Sequence, residues 1–151
     1  MMQGIGKIVE IVFALIVCLS LAAVAILAFD NEPANEITKI VYFTPAVKPG
    51  GTLTVIRNIV RRRSCETVAY RTIRDGAGAL HLYDPRHVII NAPASKIGLS
   101  DTLTSDMLIP RSANPGEAEW RVTLEWKCNW VQKWFDWPIV VMRPPIKFMI
   151  E

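Results

Sequence analysis

The chain has 151 residues and a net charge of +3, and 51% of its residues are hydrophobic. This length excludes an assembly of several domains and leaves room for one domain of ordinary size and a membrane anchor. The hydrophobic residues are unevenly distributed, so the chain divides into an apolar N-terminal segment and a more polar domain.

An apolar run covers residues 8–29 and contains two polar residues, Glu10 and Ser20. As an α-helix this run would rise about 33 Å, enough to cross a hydrocarbon core of ~30 Å. Pro33 ends the helical pattern. The run therefore predicts a transmembrane helix, preceded by a short cytoplasmic N-terminus over residues 1–7.

A cleaved signal peptide is the main alternative for this run, since residues 23–25 match the Ala-x-Ala pattern of a cleavage site. The run is longer than the roughly 7–15 apolar residues of a signal peptide, and Lys7 is the single basic residue before it. A lipoprotein is excluded because Cys18 follows Val17 and not a small residue. The sequence thus predicts a retained signal anchor.

The charges near the helix predict which side of the membrane the domain faces. Lys7 and the N-terminal amine favour a cytoplasmic N-terminus, and the first basic residue after the helix is Lys39. The arginines at 61–63 belong to a folded domain, whose translocation depends little on charge. We predict a bacterial or phage-encoded protein of the bacterial inner membrane, with a periplasmic domain. The absence of an Asn-x-Ser/Thr acceptor fits this compartment.

The cysteines favour the same compartment. The domain has two, Cys65 and Cys128, as one disulfide in an oxidising environment would require. Two unrelated buried thiols are the alternative. A bridge closing this loop would contribute about 4 kcal/mol in the chain-entropy model.

After a linker over residues 30–37, the pattern of residues 38–151 is that of β-strands. The clearest run is Trp120–Trp130, where apolar and polar residues alternate without a break. The other runs are bounded by turn signals and cover 38–43, 52–60, 66–73, 79–83, 87–91, 102–109 and 146–150. No helical periodicity follows the anchor.

Three features of this β region have counterparts in a known architecture. They are the Pro-Gly-Gly-Thr-Leu-Thr-Val run at 49–55, the Pro-Gly-Glu turn at 115–117 that leads into the strand with Cys128, and a closing strand after two prolines. In these features the chain resembles immunoglobulin-like and fibronectin-type domains. The resemblance implies an all-β fold, an immunoglobulin-like β-sandwich of seven to eight strands preceded by a single transmembrane helix. It also places Cys65 in or near the turn between strands B and C, and Cys128 near the end of strand F, so that the bridge would staple one end of the sandwich.

A basic stretch runs from residue 48 to 74 and contains seven basic residues and one acid. Six of its arginines form a candidate patch for an anionic partner: Arg57, Arg61, Arg62, Arg63, Arg71 and Arg74. Such a patch could bind lipid headgroups, a cell-wall polymer or an acidic protein. The alternative is a solvated strand face whose arginines pair with acids on neighbouring strands. A nucleic acid partner is not expected outside the cytoplasm.

All five tryptophans lie between residues 120 and 137. Trp120 and Trp126 are predicted to lie in the core. The segment 130–137 is predicted to be a loop, and its aromatic residues form a candidate interface with a protein or a membrane surface. These residues are Trp130, Trp134, Phe135 and Trp137. Alternatively, they cap the core and cover the disulfide.

The anchor presents Ala14, Cys18 and Ala22 at four-residue spacing, a ridge that would allow another helix to approach closely. Self-association or a membrane partner is one interpretation of this ridge, and the ordinary alanine content of an anchor is the other.

No catalytic, cofactor or metal-binding motif is found in the sequence. His81, Asp84 and His87 are close in sequence, but they are separated by a proline-broken turn and do not have the spacing of a metal site. We expect a non-enzymatic binding protein with membrane lipid and a protein or envelope component as partners. A structural subunit of a membrane or virion-associated assembly is the alternative, and a hydrolase would need a pocket around these three residues.

Overall fold

The computed structural model describes residues 2–90 and 97–151. It begins with a long helix, α1 (Met2–Ala28), and most of the apolar side chains that are described on it, from Ile8 onward, are exposed. The segment Glu10–Ala28 is long and apolar enough to cross a membrane, although a signal sequence would satisfy the same criteria of length and composition. The helix begins six residues before the predicted span because the preceding residues contain no proline to end it.

Most of the remaining described chain forms β-strands. Its strands are β1 (Asn35–Phe43), β2 (Ala46–Val47), β3 (Thr52–Arg61), β4 (Cys65–Arg74), β5 (Leu80–Leu82), β6 (Arg86–Ile90), β7 (Ser100–Leu108), β8 (Gly116–Lys127), β9 (Ile139–Met142) and β10 (Ile146–Ile150). A short helix, α2 (Trp130–Trp134), lies between β8 and β9. The prediction of an all-β domain after one apolar helix is therefore confirmed.

Several boundaries differ from the sequence predictions. β1 begins at Asn35, so the linker is shorter than residues 30–37. The strands β2 and β9 were not expected, and the described residues hold ten strands where seven or eight were predicted. β2 was not expected because two residues are too few to show an alternation of apolar and polar side chains. β9 was not expected because it lies between Pro138 and Pro144. The predicted strand at 87–91 corresponds to β6, with Asn91 outside the described residues.

The strands form two sheets. One has the order β1-β3-β7 and is antiparallel throughout. The other has the order β2-β10-β8-β4-β5, with β6 also on β4 and β9 also on β8. The long ladder between β4 and β8 is the centre of this second sheet, and β2 joins its edge in parallel to β10.

The core lies between the two sheets. Leu53 and Val55 on β3 are fully buried and pack in one cluster with Ile73 on β4 and Trp120 on β8. Trp126 is also fully buried, so the placement of both tryptophans in the core is confirmed. Because side chains alternate along a strand, the odd-numbered residues of β3 all face the opposite sheet.

A disulfide joins Cys65 and Cys128 at one end of the β4–β8 ladder. The sequence places Cys65 in or near the turn after β3, and in the structure it is the first residue of β4, directly after that turn. Since Glu66 pairs with Lys127, the two cysteines occupy the next position of the same register. The bridge therefore ties neighbouring strands of one sheet, and it packs beside the buried Trp126.

Candidate functional site

A cavity of about 260 Å³ lies between the two sheets, and we call it the arginine cleft. Five arginines line it: Arg57, Arg61, Arg71, Arg86 and Arg143. Its volume is close to the lower end of the range for small-molecule sites, ~300–1,000 Å³. It reaches the surface between β6 and β7, where Arg86 and Leu103 line it and are exposed.

Arg57 lines the cleft from β3. It occupies an inward position of β3 and is only 8% exposed. Its Nη2 donates a hydrogen bond to Ser105 Oγ at 2.8 Å, and its guanidinium carbon lies 5.1 Å from the ring centre of Trp120. Within the described residues it forms no ion pair with a carboxylate, and its buried Nε has no hydrogen-bond partner.

Arg143 follows β9 and enters the cleft from the second sheet. Its Nη2 donates to the backbone oxygen and to Oδ1 of Asn35, at 3.0 and 2.6 Å, and its guanidinium lies over Trp126. Burial lowers the pKa of both Arg57 and Arg143, and the positive charge of Arg143 lowers the pKa of Arg57 further. An arginine remains charged at neutral pH, so two like charges share a partly dehydrated site.

The remaining lining of the cleft is mainly apolar with a few donors. Ile59, Met107 and Val122 are among the apolar side chains. The buried Oγ1 of Thr67 and Nε1 of Trp120 have no hydrogen-bond partner in the described chain. Unpaired donors and positive charge thus face an apolar space, an arrangement that suits an anion with an apolar body.

The six arginines of the predicted patch do not share one surface. Arg57, Arg61 and Arg71 point into the cleft, whereas Arg62 and Arg74 are exposed. Three of the arginines form ion pairs: Arg61 with Asp101, Arg62 with Glu36 and Arg63 with Asp30. These pairs fit the alternative in which the arginines of this stretch pair with nearby acids. Alternation along β3 and β4 separates Arg57, Arg61 and Arg71 from Arg74. Arg62 and Arg63 lie in the turn after β3.

The end of α1 is fixed to the domain by side chains from the α2 region. Asn129 Nδ2 donates to the backbone oxygen of Leu27, and Gln132 Nε2 donates to that of Asp30, each at 2.9 Å. Arg63 also pairs with Asp30, and this hydrogen bond lowers the pKa of the Asp30 carboxyl. The helix therefore meets the domain through defined contacts and not through a free linker.

Gln132 organises this junction from the inside. It is 1% exposed, and its Oε1 accepts a hydrogen bond from the backbone of Cys128 at 2.8 Å. Its own backbone N–H donates to Asn129 Oδ1 at 3.0 Å, the N-cap of α2. The predicted loop at 130–137 thus contains a helical turn. Five residues are too few to produce a readable helical period.

The four aromatic residues of the candidate interface are exposed beside the end of α1. We call them the aromatic cluster: Trp130, Trp134, Phe135 and Trp137, which are 54%, 79%, 64% and 54% exposed. The rings of Trp137 and Phe29 meet edge to face with their centres 6.3 Å apart. These exposures do not fit the alternative in which the rings cap the core.

The candidate residues of α1 and the histidine region do not form a common site. Ala14, Cys18 and Ala22 lie on the exposed surface of α1. His81 Nε2 lies 3.1 Å from Asp75 Oδ2, whereas His87 is exposed on β6. Across residues 2–90 and 97–151, no three metal-ligating side chains converge.

Comparison with known proteins gives distant likenesses only. No protein family model matches the chain, and no curated protein matches its sequence. Among solved structures, it is similar to the alkylpurine DNA glycosylase AlkC of Pseudomonas fluorescens bound to DNA, with a TM-score of 0.48, 12% identity, and coverage of 78% of this chain and 30% of that one. A Niemann-Pick type C2 protein from the Japanese carpenter ant has a TM-score of 0.47 and 9% identity over 81% of this chain and 96% of that one.

A beta-glucosidase from Listeria innocua has a TM-score of 0.44 and 12% identity over 78% of this chain and 16% of that one. The chain thus spans less than a third of the length of the glycosylase and of the beta-glucosidase. None of these similarities is close enough to establish a family or an activity.

Proposed function

We propose that the chain is a single-pass, membrane-anchored, non-enzymatic binding protein that presents an immunoglobulin-like domain on the non-cytoplasmic face of the membrane. The observation that carries this proposal is the position of the aromatic cluster, exposed beside the end of an apolar helix that is fixed to the domain. Tryptophan is enriched where membrane proteins cross the lipid–water interface.

The junction gives the domain a defined position relative to the helix. The segment Glu10–Ala28 rises about 28 Å, close to the thickness of a bilayer core. Phe29 comes directly after it and contacts Trp137, so the aromatic cluster lies near the level at which the apolar helix ends. In this proposal the rings enter the headgroup region and hold the domain against the lipid surface.

The strand order favours an immunoglobulin-like sandwich. In that architecture, strands A, B and E share one sheet, and C, F and G share the other. Here β1, β3 and β7 form one sheet and can be matched to A, B and E. The neighbours β4, β8 and β10 can be matched to C, F and G.

The disulfide favours a non-cytoplasmic domain, because structural disulfides are rare in the cytoplasm. The single basic residue before the apolar run, Lys7, favours a cytoplasmic N-terminus. Both arguments favour the same orientation, in which the domain lies in the periplasm of a bacterial host.

A structural subunit of a membrane assembly is the second candidate. It is favoured by the small-residue ridge of α1, which is exposed and packs against no part of the described chain. Full-length protein extracted in mild detergent should be monomeric under the first proposal. Recovery with another membrane protein in a fixed ratio would favour the second.

The membrane contact of the aromatic cluster predicts a fluorescence result. In nanodiscs of phospholipid brominated near the headgroup, the emission of the full-length chain should be quenched relative to unbrominated lipid. Replacing Trp130, Trp134 and Trp137 by phenylalanine should remove most of this quenching, because Trp120 and Trp126 are buried in the domain.

Trp120→Phe is the matched control, since it removes one tryptophan and leaves the aromatic cluster intact. It should raise the quenched fraction of the remaining emission. Equal quenched fractions in the wild type and the triple variant would contradict the membrane contact.

A further inference from the structure

We propose that the arginine cleft binds an organic anion that has one carboxylate, sulfate or phosphate head on an apolar body. This proposal names a ligand class for the binding protein proposed above and rests on that function. It is carried by the charge, the unpaired donors and the shape of the cleft.

The charges of the arginine side chains in the cleft support an anionic ligand. Arg57 and Arg143 line the cleft from opposite sheets, and their described partners are hydroxyl, amide and carbonyl oxygens and aromatic rings. None of these direct partners carries a negative charge, whereas Arg61 on the same lining pairs with Asp101. Burial lowers the pKa of Arg143, and the charge of Glu36 acts against burial and raises this pKa in part.

Asp106 also borders the cavity. It is exposed, and its carboxylate accepts a hydrogen bond from the hydroxyl of Thr54. Arg57 is buried and Arg143 is half-buried, and one anion between them would stabilise these two cations that repel each other.

The unpaired donors of the cleft support the same kind of ligand. The Nε atoms of Arg57, Arg71 and Arg143 are buried and lack a hydrogen-bond partner in the part of the chain that the structure describes. The indole Nε1 of Trp120 is also buried and has no hydrogen-bond partner among the described residues. Buried donors are nearly always satisfied by protein, water or a ligand, so four such donors on residues that line one cavity favour an acceptor within it. A carboxylate or phosphate has only acceptors and can receive several such bonds at once.

The apolar part of the cleft supports an apolar body on the ligand. Met107, Val122 and Leu124 border the same space as the arginines, and the cavity opens between β6 and β7. A purely inorganic anion would leave these side chains in contact with water. An alkyl or aromatic body would cover them, which gives the ligand its two-part character.

The experiment uses the full-length chain in nanodiscs of zwitterionic lipid, with empty nanodiscs as a blank. Octanoate is the probe, 1-octanol tests the apolar body without the charge, and acetate and inorganic phosphate test the charge without the body. Carboxyl-labelled octanoate is titrated and followed by its ¹³C resonance. We expect saturable binding of one octanoate, at least tenfold tighter than binding of octanol, acetate or phosphate.

Arg57→Met should weaken octanoate binding at least tenfold, because it removes a buried charge of the cleft and nearly keeps the side-chain volume. Arg62→Met is the matched control: it removes the same charge from an exposed arginine of the following turn, and binding should be unchanged. The melting temperature of Arg57→Met should equal or exceed that of the wild type, since an unpaired buried charge is lost.

Three results would overturn the proposal. They are equal affinity for octanol and octanoate, equal affinity for acetate or phosphate and octanoate, and unchanged octanoate binding in Arg57→Met. If Arg57→Met failed to fold, the affinities of the four probes for the wild type would still show whether the cleft prefers an anion with an apolar body. Failure here is distinguishable from failure of the membrane proposal, because the lipid-quenching result does not depend on the cleft.

Discussion

Replacing both Cys65 and Cys128 by alanine is expected to lower the free energy of unfolding by about 4 kcal/mol. The two residues are 63 positions apart, and their bridge restricts the unfolded chain over that loop. The reduced form should lose a large part of its stability, since small domains are stabilised by only about 5–15 kcal/mol in total. Urea unfolding of the full-length chain in nanodiscs, followed by tryptophan emission, measures this change.

Cys18→Ala is the matched control, because Cys18 is a free cysteine on the exposed surface of α1. Its unfolding midpoint should equal that of the wild type. Non-reducing gels should separate the bridged wild type from Cys65→Ser, and reduction should remove the difference. A double alanine variant as stable as the wild type would mean that the bridge contributes nothing to the domain.

Asp75→Asn should have the second largest effect on stability, because the carboxylate of Asp75 organises the turn after β4. Its side chain is fully buried. Oδ1 accepts from the backbone of Ala77 and Ala79 at 3.1 and 2.8 Å. Oδ2 accepts from the backbone and the side chain of Asn114, each at 2.9 Å, and lies 3.1 Å from His81 Nε2.

An asparagine amide offers one acceptor oxygen, and its NH₂ group would face donors. The melting temperature of the variant should therefore fall by roughly 10 °C, measured by circular dichroism. Asp106→Asn is a suitable control, because Asp106 is exposed and accepts a side-chain hydrogen bond from Thr54. An unchanged melting temperature in Asp75→Asn would contradict this role of the turn.

The same carboxylate predicts a pH dependence. The hydrogen bond from the Asn114 backbone, helped by those from His81 and Ala79, holds the pKa of Asp75 well below its usual 3.8. The folded state then binds the proton less readily than the unfolded state. The stabilisation is complete above the unfolded-state pKa, declines below it, and is lost as the pH falls through the lower folded-state pKa. Asp75→Asn should remove this part of the acid sensitivity, which melting curves below pH 5 would reveal.

Much of the fold follows from local sequence pattern. The apolar run that gives α1 and the strict alternation that gives most of β8 are strong signals because each covers many residues. The pairing of Cys65 with Cys128 was also predicted, since they are the only two cysteines of the domain. The position of the two cysteines on neighbouring strands was not predicted, because it depends on the register between β4 and β8.

The arginine cleft shows why a site is harder to predict than a fold. Arg57 stands among Leu53, Val55 and Ile59 at the inward positions of β3, and that alternation was a usable signal. Charge alone groups Arg57 with the neighbouring arginines and does not separate the two faces of the strand. Arg143 lies far along the chain and joins the cleft only because β9 pairs with β8. Its place beside Arg57 depends on the packing of the two sheets, which leaves no local signal in the sequence.

The aromatic cluster was recognised from composition alone, but its position beside the end of α1 was not. The contact between Asn129 and Leu27 joins residues about a hundred positions apart, and no periodicity predicts it. The exposed rings become a candidate membrane-contact site only because the end of α1 lies beside them.

The central claim is that α1 is a retained anchor with the domain on the non-cytoplasmic side. The most direct test is lysine labelling of the full-length chain in a bacterial host, with a membrane-impermeant amine reagent and mass spectrometry of the peptides. Lys48, which is exposed on the domain, should be labelled in intact spheroplasts, and Lys7 only after lysis. Labelling of Lys7 in intact spheroplasts with Lys48 protected, or mature protein that lacks the Lys7 peptide, would contradict the account.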